Sequence, residues 1–115
     1  MRNDCLFCGI ADGDIPSDQV HADDLVVAFR DIAPRAPVHV LVIPREHLVS
    51  AAALTEDHAA LLGRIFAVAA DVARREGVAE SGFRITTNIG GHGGQTVPHL
   101  HFHVMGGRPF TWPPG

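Results

Sequence analysis

Histidine alternates with an apolar residue through the segment Val-Pro-His-Leu-His-Phe-His-Val-Met at residues 97–105. Only an extended backbone, whose side chains point to opposite faces in turn, puts His99, His101 and His103 on one side and Leu100, Phe102 and Val104 on the other. A helix would scatter the three imidazoles around its circumference. The segment therefore demands a sheet with a packed back face. Three imidazoles within five residues also need a use for their ring nitrogens, since burying or solvating all of them together is costly.

The rest of the chain supplies such a sheet. Residues 25–29 and 38–43 are short β-branched runs separated by a segment in which Pro34 and Pro37 break any ladder, so two adjacent antiparallel strands are predicted. From Thr55 the period changes: Leu61, Leu62, Ile65, Phe66, Ala69, Val72 and Ala73 recur at helical spacing. Thr55 supplies the N-cap, Glu56 and Asp57 favour the positive end of the helix, and Gly77 ends it. Alternation over residues 83–88 predicts another half-buried strand, and the glycines between 90 and 94 turn the chain before the histidine segment. A long helix between pairs of strands makes this an α+β domain on an antiparallel sheet. With 115 residues, 46% of them hydrophobic, one domain spanning 1–115 can fill its own core, while the proline-rich residues 108–115 form an extended arm.

Charge and cysteine content narrow the function. Nine basic against thirteen acidic residues give a net charge of -4, which offers no long-range field for a nucleic acid backbone. The first residues, 1–4, are polar and no apolar run has the length of a signal peptide or a membrane span, so neither a membrane nor secretion is expected. Cys5 and Cys8 are too close for a useful staple, and their spacing is that of a metal half-site or a redox pair in a reducing, cytoplasmic compartment.

Directly before the histidines stands Asn88-Ile-Gly-Gly-His-Gly-Gly-Gln-Thr96, whose glycines permit positive φ and let backbone N–H groups converge on an anion. A phosphate held there lies close to an imidazole that is largely neutral and nucleophilic at neutral pH, its reference pKa being about 6.5. Such a nitrogen can attack phosphorus and form a phosphohistidine-type intermediate, which water then releases. Thr96, the Gly94–Gln95 backbone and a second histidine are available to the growing charge on the phosphoryl oxygens, and a protonated neighbour can serve the leaving group. A metallohydrolase using the histidines as zinc ligands is the weaker reading, because no carboxylate on that strand can act as its base.

His99-Leu-His-Phe-His-Val resembles the triad that defines the histidine triad (HIT) superfamily. The run from Asp31, Asp-Ile-Ala-Pro-Arg-Ala-Pro-Val-His-Val-Leu-Val-Ile-Pro-Arg, and the ending Gly106-Gly-Arg with Trp112-Pro-Pro-Gly, resemble the HINT-like branch in the same order. The resemblance covers nearly the whole chain. It implies a homodimer whose subunit has a sheet of about five antiparallel strands, one long helix and a short one. It also implies hydrolysis of purine nucleoside 5'-phosphoramidates or related aminoacyl nucleotides, with no metal in the chemical step. By position it makes His101 the nucleophile, His99 and His103 its flanking partners, and His39 an additional histidine beside them. Asp31 would hold the ribose, Ile32 the base, and Asn88, Gly94, Gln95 and Thr96 would surround the phosphate. Trp112 would pack near the partner subunit's site. Zinc-containing relatives further imply a structural site formed by Cys5, Cys8, His47 and His99. Alternatives are a dinucleoside polyphosphate hydrolase of the Fhit-like kind and a nucleotide-binding regulatory protein whose catalysis is vestigial.

Overall fold

The computed structural model describes residues 4–115; residues 1–3, counted above in the single domain and in its polar start, lie outside the described residues. In chain order the elements are α1 (Leu6–Ala11), β1 (Gln19–Ala22), β2 (Val26–Arg30), β3 (Val38–Pro44), α2 (Ala59–Arg75), β4 (Phe83–Thr86) and β5 (Phe102–Gly106). All neighbouring strands are antiparallel, in the order β1-β2-β3-β5-β4. Five strands, one long helix and one short one match the expected α+β class.

Period-two alternation divides the apolar residues between two cores. On one face Val26, Ala28, Val40, Val42, Phe102 and Val104 pack under Ile65, Val68, Ala69, Val72 and Ala73 of α2. On the other, Val27, Phe29, Leu41 and Ile43 are covered by Phe7, Ile10 and Ala11 of α1. The short helix roofs only β2 and part of β3. The same face of β3, β5 and β4 carries His39, His103 and Arg84, next to the edge of that roof.

Three boundaries differ from the sequence reading, each for a backbone reason. Thr55 caps a single 3₁₀ turn, Glu56–His58, and α2 starts only at Ala59; its end before Gly77, at φ 79°, is as expected. The last strand begins at Phe102, not at residue 97: Pro98 has no N–H to donate, the His99 N–H turns back to the Val97 carbonyl, and that of Leu100 goes to Leu48. β4 stops at Thr86, after which the Thr87 hydroxyl donates to the His101 carbonyl.

Where β5 ends, packing is tight enough to test. A Cβ on Gly106 would lie 2.7 Å from the Val78 Cβ. Gly106→Ala should therefore cost about 1–3 kcal/mol through overpacking, read as a lower urea midpoint at unchanged slope.

Candidate active site

The histidine row keeps its alternation although only its end lies in regular strand. Leu100, Phe102 and Val104 join the core under α2, while the His101 and His103 rings face the other side with centroids 5.1 Å apart. Phe7 of α1 meets His101 edge-on at 5.1 Å and His99 at 6.0 Å. His101 and His103 open onto a cavity of about 280 Å³, walled by Phe7, Ile10, Ile15, Phe29, Leu41 and Val97, with Asp31, Ile32 and Thr96 at its rim. A wholly exposed isoleucine at an apolar opening, Ile32, is surface that a planar ring system can cover.

Hydrogen bonds determine which nitrogen of each ring carries hydrogen. His101 Nδ1 lies 2.7 Å from the His99 carbonyl oxygen. A carbonyl only accepts, so Nδ1 donates and Nε2 keeps its lone pair. A longer relay orders the neighbour: the Arg35 N–H donates to His39 Nδ1 at 3.0 Å, which leaves the His39 hydrogen on Nε2. His39 Nε2 then donates to His103 Nδ1 at 2.9 Å, and the His103 hydrogen sits on Nε2. The site thus pairs a nitrogen lone pair on His101 with an N–H donor on His103.

Both relay rings are held neutral. Burial pushes the His103 pKa down to about 4, helped by the neighbouring His101 and His39 and opposed by Asp31. Burial also lowers that of His39, against the pull of Asp31 and with the push of Arg35. The Asp31 carboxylate is 3.4 Å from His39 Nε2. Asp31, His39 and His103 are close enough to suggest a metal site. Their tautomers argue for proton holding instead, since a metal needs a lone pair on His39 Nε2 and the Arg35 amide already claims the one on Nδ1.

This has a direct pH consequence. The unfolded chain takes up a proton at His103 near pH 6.5, whereas the folded chain resists it until about pH 4. Stability contributed by the neutral ring is therefore complete above about 6.5 and declines as pH falls toward 4. Nitrogen-detected NMR should show the His103 ring neutral at pH 6 with a midpoint near 4; a midpoint at 6.5 would contradict the relay.

The glycine loop is closed on itself. Gly94 N–H bonds to Gly91 O and Gln95 N–H to Gly90 O, each at 3.1 Å, so neither amide faces the cavity in this conformation. The Gln95 side chain accepts from Gly90 N–H and donates to the carbonyls of Val49 and Val97, and Asn88 donates to Gly93 O. Thr96 is the loop residue that reaches the cavity rim, while Asn88 lines an adjoining cleft with His39 and His103. Trp112, 83% exposed, lines neither space.

His99 has a different environment from its two companions. Fully buried and outside both cavities, its Nδ1 lies 3.4 Å from Cys5 Sγ and 3.5 Å from Cys8 Sγ, and His47 Nδ1 lies 3.3 Å from Cys8 Sγ. The four donor atoms all lie within 4.8 Å of one another. A tetrahedral zinc shell with Zn–S of about 2.3 Å and Zn–N of about 2.0–2.1 Å has S···N edges of about 3.5 Å, so the spacing fits. His99 Nε2 donates to the Pro44 carbonyl at 2.9 Å, which turns the Nδ1 lone pair toward the sulfurs.

Comparison with known proteins shows the family to which such a chain is similar. The HIT domain family model matches residues 12–110, leaving Cys5, Cys8 and Trp112 outside the match. A purine nucleoside phosphoramidase of Escherichia coli K12 is 47% identical over 109 residues, which cover 95% of this chain and 92% of the relative. A 14 kDa zinc-binding protein of Brassica juncea is 47% identical over 114 residues, covering 97% of this chain and all of that one. The crystal structure of a HIT family hydrolase from Legionella pneumophila superposes with a TM-score of 0.95 at 46% identity, covering 96% of this chain and 99% of the other.

Proposed function

This chain belongs to the HIT domain family, and on that premise we propose that it hydrolyses purine nucleoside 5'-phosphoramidates or related aminoacyl nucleotides. The nucleoside monophosphate leaves by way of a nucleotidyl intermediate on His101. One observation carries the reading: the His99 carbonyl holds the His101 hydrogen on Nδ1, so Nε2 offers a lone pair beside the His103 N–H. The base would lie between Phe7, Phe29 and Ile32, with the ribose toward Asp31.

In the first step His101 Nε2 bonds to phosphorus as the phosphorus–nitrogen bond to the substituent breaks. The departing nitrogen keeps that electron pair and takes a proton relayed from solvent through His103 Nε2. Water then attacks phosphorus, its proton returns along the same route, and the His101–phosphorus bond breaks to restore the neutral ring. Thr96 and the His103 N–H are placed to meet charge on the phosphoryl oxygens, and His39 and Asp31 keep His103 in its donor form.

Parallel incubation with an adenosine 5'-phosphoramidate and a diadenosine polyphosphate tests the assignment. Turnover of the first, with little of the second, is expected; the reverse order would favour the Fhit-like alternative.

Cys5, Cys8, His47 and His99 would hold zinc, which when bound crosslinks α1, the segment after β3 and the triad without entering the reaction. Elemental analysis of protein purified without a histidine tag should find about one zinc per chain, and none at all would refute the site. Cys5 and Cys8, a closely spaced pair that faces His47 and His99, suit a reducing compartment such as the cytoplasm. Among the described residues no helix is long and apolar enough to cross a membrane. The open β4 edge and an exposed strip on α2, Ala60, Gly63, Phe66 and Ala67, support a homodimer, with Trp112 reaching the partner's site.

A further inference from the structure

His103 borders two spaces. On its far side from the apolar cavity lies a cleft of about 310 Å³ lined by Arg35, Arg84, Arg108, Asn88 and Phe110. The arginines elsewhere on the fold are largely matched with acids: Arg30 with Glu76, Arg64 with Asp23, and Arg74 and Arg75 with Asp71. Arg35, Arg84 and Arg108 have no carboxylate within ion-pair distance among the described residues. Three unmatched guanidiniums therefore converge beside the reacting centre of a chain whose net charge is -4.

Holding the C-terminal arm explains only part of this arrangement. Arg84 donates to the Thr111 carbonyl at 2.9 Å, and Arg108 to the carbonyls of Arg35 and Pro109. Both guanidiniums lie over the Phe110 ring, at 5.2 and 4.3 Å from its centroid. Those partners are neutral and leave the positive charge uncompensated, and each guanidinium has five N–H donors. The Arg35 guanidinium makes no hydrogen bond to the described residues at all. A bound anion would relieve the mutual repulsion and take up the spare donors.

Resting on the phosphoramidase reading, we infer that this cleft receives the departing part of the substrate and selects one that carries a carboxylate. With the nucleoside in the apolar cavity and phosphorus at His101, a substituent leaving past His103 enters among the three arginines. The substrate class that fits is a nucleotide whose phosphorus is bonded to the amino nitrogen of an amino acid, its carboxylate free. An aminoacyl nucleotide fits poorly, because its ammonium group would face the guanidiniums.

The test compares adenosine 5'-phosphoramidates of glycine, of glycinamide and of ethylenediamine, which differ in the charge of the leaving amine and little in size. The expected kcat/KM falls in that order, by about tenfold at each step at low salt, with the spread shrinking in about 0.5 M sodium chloride. In Arg35→Met and in the Arg35→Met/Arg84→Met pair, the advantage of glycine over glycinamide should decline toward twofold or less. Equal rates for glycine and glycinamide in the native protein, or a preference that survives in both variants, would overturn the inference. Should none of the three be hydrolysed, the phosphoramidase reading fails. The cleft is then judged by calorimetry with malonate, where binding at least about tenfold tighter to the native protein than to Arg35→Met supports it and equal or absent binding refutes it.

Discussion

His101→Ala is expected to lower kcat/KM for an adenosine phosphoramidate by about four orders of magnitude or more, with substrate binding little changed. The size follows from the role: without a nucleophile the reaction must proceed by direct attack of water, and what survives is the contribution of binding and of the phosphoryl contacts. His103→Ala should cost less, about 10²–10⁴-fold, because it removes an N–H donor and a proton route while the His101 lone pair remains. The two effects should not add, since both residues serve one step. Steady-state kinetics on the two variants and their double mutant would check this, and a loss of only tenfold in His101→Ala would move the nucleophile elsewhere.

His99→Ala should act on the fold more than on the chemistry. The ring is wholly buried, donates to Pro44 and faces both cysteine sulfurs, so its removal leaves a cavity and orphans the Pro44 carbonyl. A cost of about 3 kcal/mol is expected, with the melting temperature lowered by about 10 °C. The carbonyl that orients His101 belongs to the backbone and survives the substitution. Activity per folded molecule should therefore stay within about tenfold of the native protein, which assigns the His99 side chain to positioning and leaves proton transfer to His103. Urea unfolding and active-site-normalised rates separate the two effects; a stability loss below about 1 kcal/mol with activity abolished would reverse that assignment.

Alternation around the triad was legible from sequence because its period does not depend on where regular hydrogen bonding begins. Val97, Pro98 and His99 stay outside the strand, yet Leu100, Phe102 and Val104 still point into the core. Helix α2 was legible for the same kind of reason, its apolar stripe being long enough to establish a period. Two elements lacked such a signal. In β1, Gln19-Val-His-Ala is an edge strand with a register shift and its only large apolar residue is Val20. In α1, six residues give too few turns to show a period, so the part Phe7 and Ile10 play in roofing the cavity was invisible.

Within the site, residue types were easier to read than the state of their hydrogens. His39, His101 and His103 stand out by position, but the nitrogen that keeps a lone pair depends on the carbonyl of His99 and the amide of Arg35, and backbone groups leave no trace in composition. The glycine loop suggested free amides, whereas those of Gly94 and Gln95 turn to loop carbonyls. The arginine cleft gathers side chains from the turn before β3, from β4 and from the C-terminal arm. Their convergence is a property of the register, not of any one segment.

Rapid quenching of the protein during turnover of adenosine 5'-phosphoramidate, followed by mass-spectrometric location of any adenylylated residue, identifies the nitrogen that attacks phosphorus. Modification of His101 alone is expected, labile in acid and absent from His101→Ala. A nucleotidyl group found on any other residue, or turnover with no adenylylated protein under conditions where hydrolysis of the intermediate is rate-limiting, would contradict that expectation.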